Sequence, residues 1–257
     1  MPETQDLAPR GIFITFEGGE GAGKTTHIRF LAEALRAHGR EVLCLREPGG
    51  TDIGEQLRAV VLDPRNVAMT DEAELLIYEA ARAQLVKQVI APALARGVVV
   101  LCDRFTDSTV AYQAYGRGLS REFVDGANAF ACQGLRPDRT ILMATGGTAR
   151  TGLARATHRG ADRLERAGEE FHARVNEAFM DIARRDPGRV RVVISADRKS
   201  RTASAVFSQL KDLFPWMADV EQRDPAFFDR LDVKRSQVGR AGLRSSAESA
   251  PGASQGV

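Results

Sequence analysis

A glycine-rich stretch near the start of the chain has the residue types and spacing of a phosphate-binding loop. Residues 18–25 read GGEGAGKT, which completes the pattern GxxxxGK[ST] between a predicted strand and a predicted helix. Glycines let successive N–H groups point at one anion, while Lys24 can reach the terminal phosphates and the Thr25 hydroxyl can bind Mg²⁺. The motif predicts a nucleoside triphosphate site. Its predicted nucleotide-binding residues are Gly18, Gly19, Glu20, Gly21, Ala22, Gly23, Lys24, Thr25 and Thr26.

The composition excludes several classes of protein. At 257 residues, of which 43% are hydrophobic, the chain can bury a core and is not disordered throughout. A net charge of +2 predicts no stable binding to nucleic acid or to an anionic membrane. Cys44, Cys102 and Cys132 lack CxxC spacing, which indicates reduced, mostly buried thiols. Because no apolar run approaches ~18 residues and no signal pattern begins the chain, we expect a cytoplasmic protein.

Five short apolar segments alternate with helical patterns. This alternation is typical of an α/β fold with a five-stranded parallel sheet, helices on both faces and ligands at the carboxyl ends of the strands. We expect Asp52 and Glu55 to form a capping box, and Thr70 to open a long helix that bends near Pro92 and ends at Gly97. The predicted strands are Ile12 to Phe16, Val42 to Leu45, Val98 to Cys102, Thr140 to Met143 and Val190 to Ile194.

The last part of the chain differs in composition. After about Pro215 the helical pattern is lost, and the final residues RSQVGRAGLRSSAESAPGASQGV are rich in Ser, Gly and Ala. A segment with so few apolar residues cannot offset the entropy of ordering itself. We therefore predict one domain over residues 11–214 and a largely disordered extension over residues 215–257.

Four further motifs indicate the second substrate. Residues 46–51 read REPGGT, residues 78–84 YEAARAQ, residues 103–113 DRFTDSTVAYQ and residues 161–165 ADRLE. In this order and spacing they resemble the thymidylate kinase family, and the resemblance covers the chain from about Gly11 to Phe214. It implies a P-loop nucleoside monophosphate kinase-like fold with an arginine-rich lid. It also implies transfer of the γ-phosphoryl group of ATP to thymidine monophosphate (dTMP), in the supply of dTTP for DNA synthesis.

The resemblance implies catalytic roles at the end of the third strand. Asp103 is expected to hold Mg²⁺ together with Thr25, and Arg104 is expected to bridge the phosphates of donor and acceptor. With Lys24, they are the predicted catalytic residues of this edge of the sheet. A structural ion pair between Asp103 and Arg104 is the alternative interpretation.

The resemblance also implies an acceptor site. Arg58 and Arg82 match positions that bind the monophosphate, and Tyr78 stands where the family usually stacks a Phe on thymine. Glu20 is expected to approach the 3′-hydroxyl, and Tyr112 to crowd the ribose 2′ position. The alternative interpretation of Arg58 and Arg82 is that they are exposed helix arginines. For Glu20 the alternative is a solvated loop residue, and for Tyr112 it is a core tyrosine. The predicted acceptor-binding residues are Glu20, Glu47, Pro48, Arg58, Tyr78, Arg82, Arg104, Ser108, Thr109, Tyr112 and Gln113.

An arginine-rich segment over about residues 146–168 is predicted to be a mobile lid. In the bacterial-like branch of the family the phosphate loop lacks an arginine and the lid supplies it, and Ala22 fits that branch. An arginine supplied in this way can stabilise transition-state charge. The resemblance therefore implies catalytic roles for Arg155 and Arg159, whereas Arg150 and Arg166 are interpreted as solvated.

Two positions depart from the family pattern. Ala144 stands where the fourth strand usually carries Asp or Asn, and Ala81 replaces a frequent acidic residue. Two alternatives therefore stay open: a kinase of another nucleoside monophosphate or deoxynucleoside, and a nucleotide-binding regulatory module without turnover. The resemblance further implies a homodimer that pairs through the helices after Thr70 and Asp107.

Overall fold

The computed structural model of the protein describes residues 10–145, 163–164 and 167–232. Its strands are β1 (Phe13–Glu17), β2 (Val42–Arg46), β3 (Val99–Asp103), β4 (Arg139–Thr145) and β5 (Val190–Ser195). They form one parallel sheet in the order β2-β3-β1-β4-β5, which confirms the predicted fold class. Because β1 is the central strand, the loop that follows it lies in the middle of the carboxyl edge of the sheet.

Helices cover both faces of this sheet. Alternate side chains of a strand point to opposite faces, so Ile14 and Phe16 pack with the first helix, whereas Phe13 packs with Ile90 and Phe105. The helices are α1 (Lys24–Ala37), α2 (Asp52–Leu62), α3 (Asp71–Leu85), α4 (Ala91–Ala95), α5 (Thr106–Thr109), α6 (Arg121–Cys132), α7 (Glu169–Arg185) and α8 (Lys199–Ser208).

The long helical segment after Thr70 begins as predicted and is irregular near Pro92. The Thr70 hydroxyl accepts a hydrogen bond from the Ala73 N–H at 3.2 Å, which caps α3. A π-helical turn, Val86–Ile90, joins α3 to α4 just before Pro92, which has no N–H to donate to a regular helix. The segment ends at Gly97, whose φ is 83°.

The predicted cap of α2 is wrong by one residue. Thr51 is the N-cap, and its hydroxyl accepts from the Gly54 N–H at 2.9 Å. Glu55 is thus one position too far along to reach back to the cap. Its carboxylate instead accepts from the Gly50 N–H at 2.7 Å and pairs with Arg46.

Residues 215–232 pack on the domain, so the predicted disorder does not apply to them. Three short helical turns follow α8, and their apolar side chains lie against α1 and α8. The ring of Phe228 lies 5.1 Å from that of Phe207 and 6.0 Å from that of Phe30. Scattered aromatic residues suffice for this packing without helical periodicity, which is why the pattern did not reveal it. The rest of the predicted extension, 233–257, lies outside the described residues.

Two further sequence predictions concern exposure and membrane association. Cys102 and Cys132 are buried free thiols, but Cys44 is exposed, because β2 is an edge strand of the sheet. In the described part of the chain, no helix has the length and apolar character needed to cross a membrane.

Candidate functional site

The phosphate-binding loop curls tightly between β1 and α1. Gly18 has φ of 125°, and a Cβ atom there would lie 2.2 Å from the backbone oxygen of Met143. Gly23, with φ of 92°, is the N-cap of α1 and provides no capping side chain. The first turn of α1 also carries no acidic residue. Its N–H groups and the positive end of the helix dipole are therefore available to an anion.

Lys24 is folded back over this loop. Its Nζ atom donates to the backbone oxygens of Gly18 at 3.1 Å and Gly19 at 3.0 Å, and the residue is buried. Burial and the positive charge of Arg104 lower the pKa of Lys24. This position brings the ammonium group to the mouth of the loop, where the terminal phosphates of a bound nucleotide would lie.

Thr25 and Asp103 meet at the carboxyl edge of the sheet. The Thr25 hydroxyl donates to Oδ2 of Asp103 at 2.9 Å, which joins the loop to the end of β3. Hydroxyl and carboxylate oxygens are ligands that Mg²⁺ accepts, and it usually takes one or two from the protein and others from phosphates and water. Among the described residues, no cluster of three or more His, Cys, Asp or Glu could hold a metal by itself. This oxygen pair fits a Mg²⁺ ion that arrives with a nucleotide.

Arg104 has an unusual backbone conformation that buried contacts maintain. Its φ is 70°, and its N–H donates to the Phe16 oxygen at 2.9 Å. The fully buried Glu17 carboxyl group, whose pKa burial raises to about 8, accepts from the Phe105 N–H at 2.7 Å and from the Ser108 hydroxyl at 2.5 Å. A left-handed conformation is costly for a residue with a Cβ, so these contacts stabilise the turn that aims Arg104 into the cleft.

The guanidinium of Arg104 has few partners. It forms an ion pair with Glu20 and donates from Nη1 to the Ser108 hydroxyl at 3.1 Å. It also lies 5.1 Å from the centre of the Tyr112 ring, within cation–π range. The positive charge of Arg104 lowers the pKa of Glu20 to about 2, although burial opposes the shift. Glu20 therefore stays ionised beside the phosphate loop.

Arg82, a predicted phosphate-binding residue, lines the cleft and is surrounded there by carboxylates. Its Nε and Nη2 atoms donate to Glu47 at 2.9 and 2.7 Å. Its Nη1 donates to Glu79 at 2.7 Å and to Asn128 at 2.8 Å. The side chain is 2% exposed, since α3 presents it to the interior against Phe105. Four of its five N–H donors are therefore used by neighbouring side chains, which hold it in place at the cleft.

The remaining predicted acceptor residues line one cleft of about 870 Å³ with the phosphate loop and Arg104. Arg58 donates to the Pro48 oxygen at 2.8 Å. Tyr112 is buried, and burial raises its pKa to about 12, so its ring stays neutral. The cleft also includes Glu47, Tyr78, Ser108, Thr109 and Gln113.

The lid is largely outside the described residues. Residues 146–162 and 165–166 are not described, and they include Arg150, Arg155, Arg159 and Arg166. Arg163 is described: it pairs with Glu74 and donates from Nε to the Val61 oxygen at 3.2 Å.

Sequence reasoning missed three residues that contribute to the cleft. Glu17, which supports the turn that carries Arg104, could have been noticed as an ionisable residue at the end of a mostly apolar strand. Glu74 lies four residues before Tyr78 and eight before Arg82, so helical spacing places all three on one face of α3. Lys199 lines the cleft from the start of α8, and only the folding of the chain brings it there.

Comparison with known proteins agrees with this geometry. The family model described as "Thymidylate kinase" matches residues 16–205. A thymidylate kinase from Geobacter sulfurreducens is 48% identical over 212 residues, which cover 80% of this chain and 99% of that protein. One from Pseudomonas fluorescens is 53% identical over 180 residues, 70% of this chain and 85% of that protein. The crystal structure of thymidylate kinase from Ehrlichia chaffeensis matches with a TM-score of 0.65 and 31% identity, over 79% of this chain and 100% of that one.

Proposed function

This chain belongs to the thymidylate kinase family, and we propose that its cleft performs the reaction of that family with the residues described above. The protein is a phosphotransferase that moves the γ-phosphoryl group of ATP to dTMP, giving dTDP and ADP. One observation supports the residue roles most directly: Lys24, the Thr25–Asp103 pair and Arg104 all line the same cleft.

On the donor side, the loop and the first turn of α1 bind the ATP phosphates, and Lys24 contacts the terminal ones. Thr25 and Asp103 would hold Mg²⁺, whose chemistry there is to offset charge on the β- and γ-phosphates. Lys199, on the wall of the cleft, adds positive charge near the nucleotide. These residues bind and orient the donor without covalent chemistry of their own.

On the acceptor side, Arg104 and Arg58 orient the phosphate of dTMP. Tyr78 offers its ring to thymine, and Tyr112 fills the space where a ribose 2′-hydroxyl would lie. The paired Glu20 carboxylate faces the sugar. Gln113, with its amide in the cleft, contacts the base edge.

The transfer itself requires alignment and positive charge. An oxygen of the dTMP phosphate attacks the γ-phosphorus while the bond from that phosphorus to the β,γ-bridging oxygen breaks, and ADP leaves. No general base is required, because the attacking phosphate is already an anion near neutral pH. Arg104 stabilises the charge shared between donor and acceptor, and Arg155 and Arg159 would add to it from the lid.

The protein is expected to act as a homodimer in the cytoplasm. Large apolar side chains on the neighbouring helices α3 and α6 support the dimer: Leu76 is 56% exposed, Phe123 57% and Phe130 85%. A molar mass twice that of the chain in solution would bear this out, and Phe130→Lys should reduce it.

The decisive experiment measures ADP production from ATP and Mg²⁺ with dTMP, dUMP, UMP, CMP and AMP offered separately. We expect a clear preference for dTMP, and Lys24→Ala should abolish turnover while the protein remains folded. Preference for another monophosphate would overturn the acceptor assignment. ATP binding with no turnover for any acceptor would favour the regulatory module.

A further inference from the structure

A buried carboxylate supports the base-contacting wall of the cleft. Glu74 has no exposed surface, and it accepts a hydrogen bond from Nε2 of Gln113 at 2.7 Å. It also accepts from Nη2 of Arg117 at 2.9 Å and pairs with Arg163. Two guanidinium groups against one carboxylate stabilise the ionised form, which can only accept hydrogen bonds.

This contact determines which end of the Gln113 amide faces the cleft. An amide carries one donor end and one acceptor end, and only the NH₂ group can pair with an ionised carboxylate. Gln113 is buried and lines the cleft, and since its Nε2 atom is bonded to Glu74, its Oε1 atom is the end left for a base in that cleft. Within the described part of the chain, no group donates a hydrogen bond to this oxygen.

An acceptor at this position distinguishes pyrimidines by their hydrogen-bonding edge. Thymine and uracil carry an N3–H donor, whereas N3 of cytosine is an acceptor. A carbonyl oxygen facing N3 therefore bonds to thymine and uracil but leaves two acceptors opposed in cytosine. A site built around one hydrogen bond rejects ligands that leave it unmade.

We propose that Glu74 is a positioning residue for base selection: it holds the Gln113 amide with its oxygen toward the base and so selects pyrimidines with an N3–H donor. This role rests on the proposed contact between Gln113 and the base. It assigns the choice between thymine and cytosine to a residue that never touches the nucleotide.

The test is Glu74→Gln, with kcat/KM measured for dTMP, dUMP and dCMP. A neutral amide at position 74 can donate as well as accept, so the Gln113 amide can adopt either orientation. We expect the preference for dTMP over dCMP to fall about tenfold or more. The preference for dTMP over dUMP should not change, because both bases have the same N3–H edge.

Two matched variants separate this effect from general damage. Asp71→Asn removes a carboxylate 3.3 Å from Arg117 that does not contact Gln113. Arg163→Gln removes the contact from the lid side but keeps the bond between Glu74 and Gln113. Both should retain the wild-type preference for dTMP over dCMP.

A second approach covers the case in which Glu74→Gln does not fold. Gln113→Leu should lose the same preference, and adding Glu74→Gln to it should change the preference no further. Unchanged dTMP-to-dCMP ratios in Glu74→Gln or in Gln113→Leu would overturn the proposal, as would equal changes for dUMP and dCMP. Failure of the wild-type protein to phosphorylate dTMP would instead contradict the proposed function.

Discussion

Two arginines at the same cleft have opposite surroundings. Arg82 on α3 is 2% exposed, and its guanidinium nitrogens donate to two carboxylates and an amide. Arg104 follows β3 with a 17% exposed side chain and has one carboxylate partner, Glu20. Both resemble phosphate-binding positions in the sequence and both line the cleft, but Arg104 uses only two of its five N–H donors on neighbouring side chains.

The difference shows how burial separates a structural arginine from one that acts on substrate. Arg82 already uses four of its five N–H donors on neighbouring side chains, so it has at most one left for a ligand, and removing it would leave buried charges unpaired. A guanidinium with a single carboxylate partner can exchange it when an anion binds. Mutation should therefore reduce stability at Arg82 and turnover at Arg104.

The largest expected effect is on stability, at Arg82. Arg82→Met leaves Glu47 and Glu79 buried without their cation, so we expect the free energy of unfolding to fall by about 3 to 5 kcal/mol. Urea unfolding at pH 7 measures it. The triple variant with Glu47→Gln and Glu79→Gln should regain most of the loss, because it removes the unpaired charges. If the free energy of unfolding of Arg82→Met fell by less than about 1 kcal/mol, the contacts of Arg82 would not be stabilising the fold.

The next effect is on turnover, at Arg104. Arg104→Lys keeps the charge but loses the fork that binds two oxygens, so kcat should fall about 100-fold. The free energy of unfolding should change by less than about 1 kcal/mol, because Lys keeps the positive charge that pairs with Glu20. Steady-state kinetics measures kcat, and urea unfolding measures the free energy of unfolding. A stability loss as large as that of Arg82→Met would contradict the comparison.

A smaller effect is expected at Arg58, which approaches the acceptor from α2. Arg58→Ala should raise the KM for dTMP about tenfold and leave the KM for ATP unchanged, as expected for one lost charge-assisted contact. Initial rates over a grid of both substrate concentrations give the two constants. Equal increases in the KM values for dTMP and ATP would indicate that the substitution has moved the loop at Pro48, rather than removed one contact with dTMP.

The smallest effect is on the pH dependence of stability. The pKa of Glu20 is lowered by Arg104 from 4.5 to about 2, so its contribution is present above about pH 4.5 and is lost as the pH falls toward 2. With its side chain 31% exposed, this contribution is about 1 to 2 kcal/mol after solvent screening. Between pH 6 and pH 3, the free energy of unfolding measured with urea should decrease less for Glu20→Gln than for the wild type.

Local patterns predicted the elements of this fold closely. All five strands and the helix after Thr70 lie where apolar periodicity and capping residues indicated. The cap of α2 was misplaced because Thr51 and Asp52 are adjacent candidates, and only the backbone conformation distinguishes them. The packing of residues 215–232 was missed because it depends on aromatic contacts with distant helices, which have no local pattern.

The sequence by itself determined the phosphate loop, the parallel sheet and the edge at which the site lies, because these follow from short-range spacing and strand polarity. The tertiary structure alone decided the roles within the site. Whether an arginine meets carboxylates or an open cleft, and which end of the Gln113 amide faces a ligand, depends on partners up to 84 residues away along the chain. Such contacts set burial and hydrogen-bond direction, and neither is encoded in the local pattern of residues.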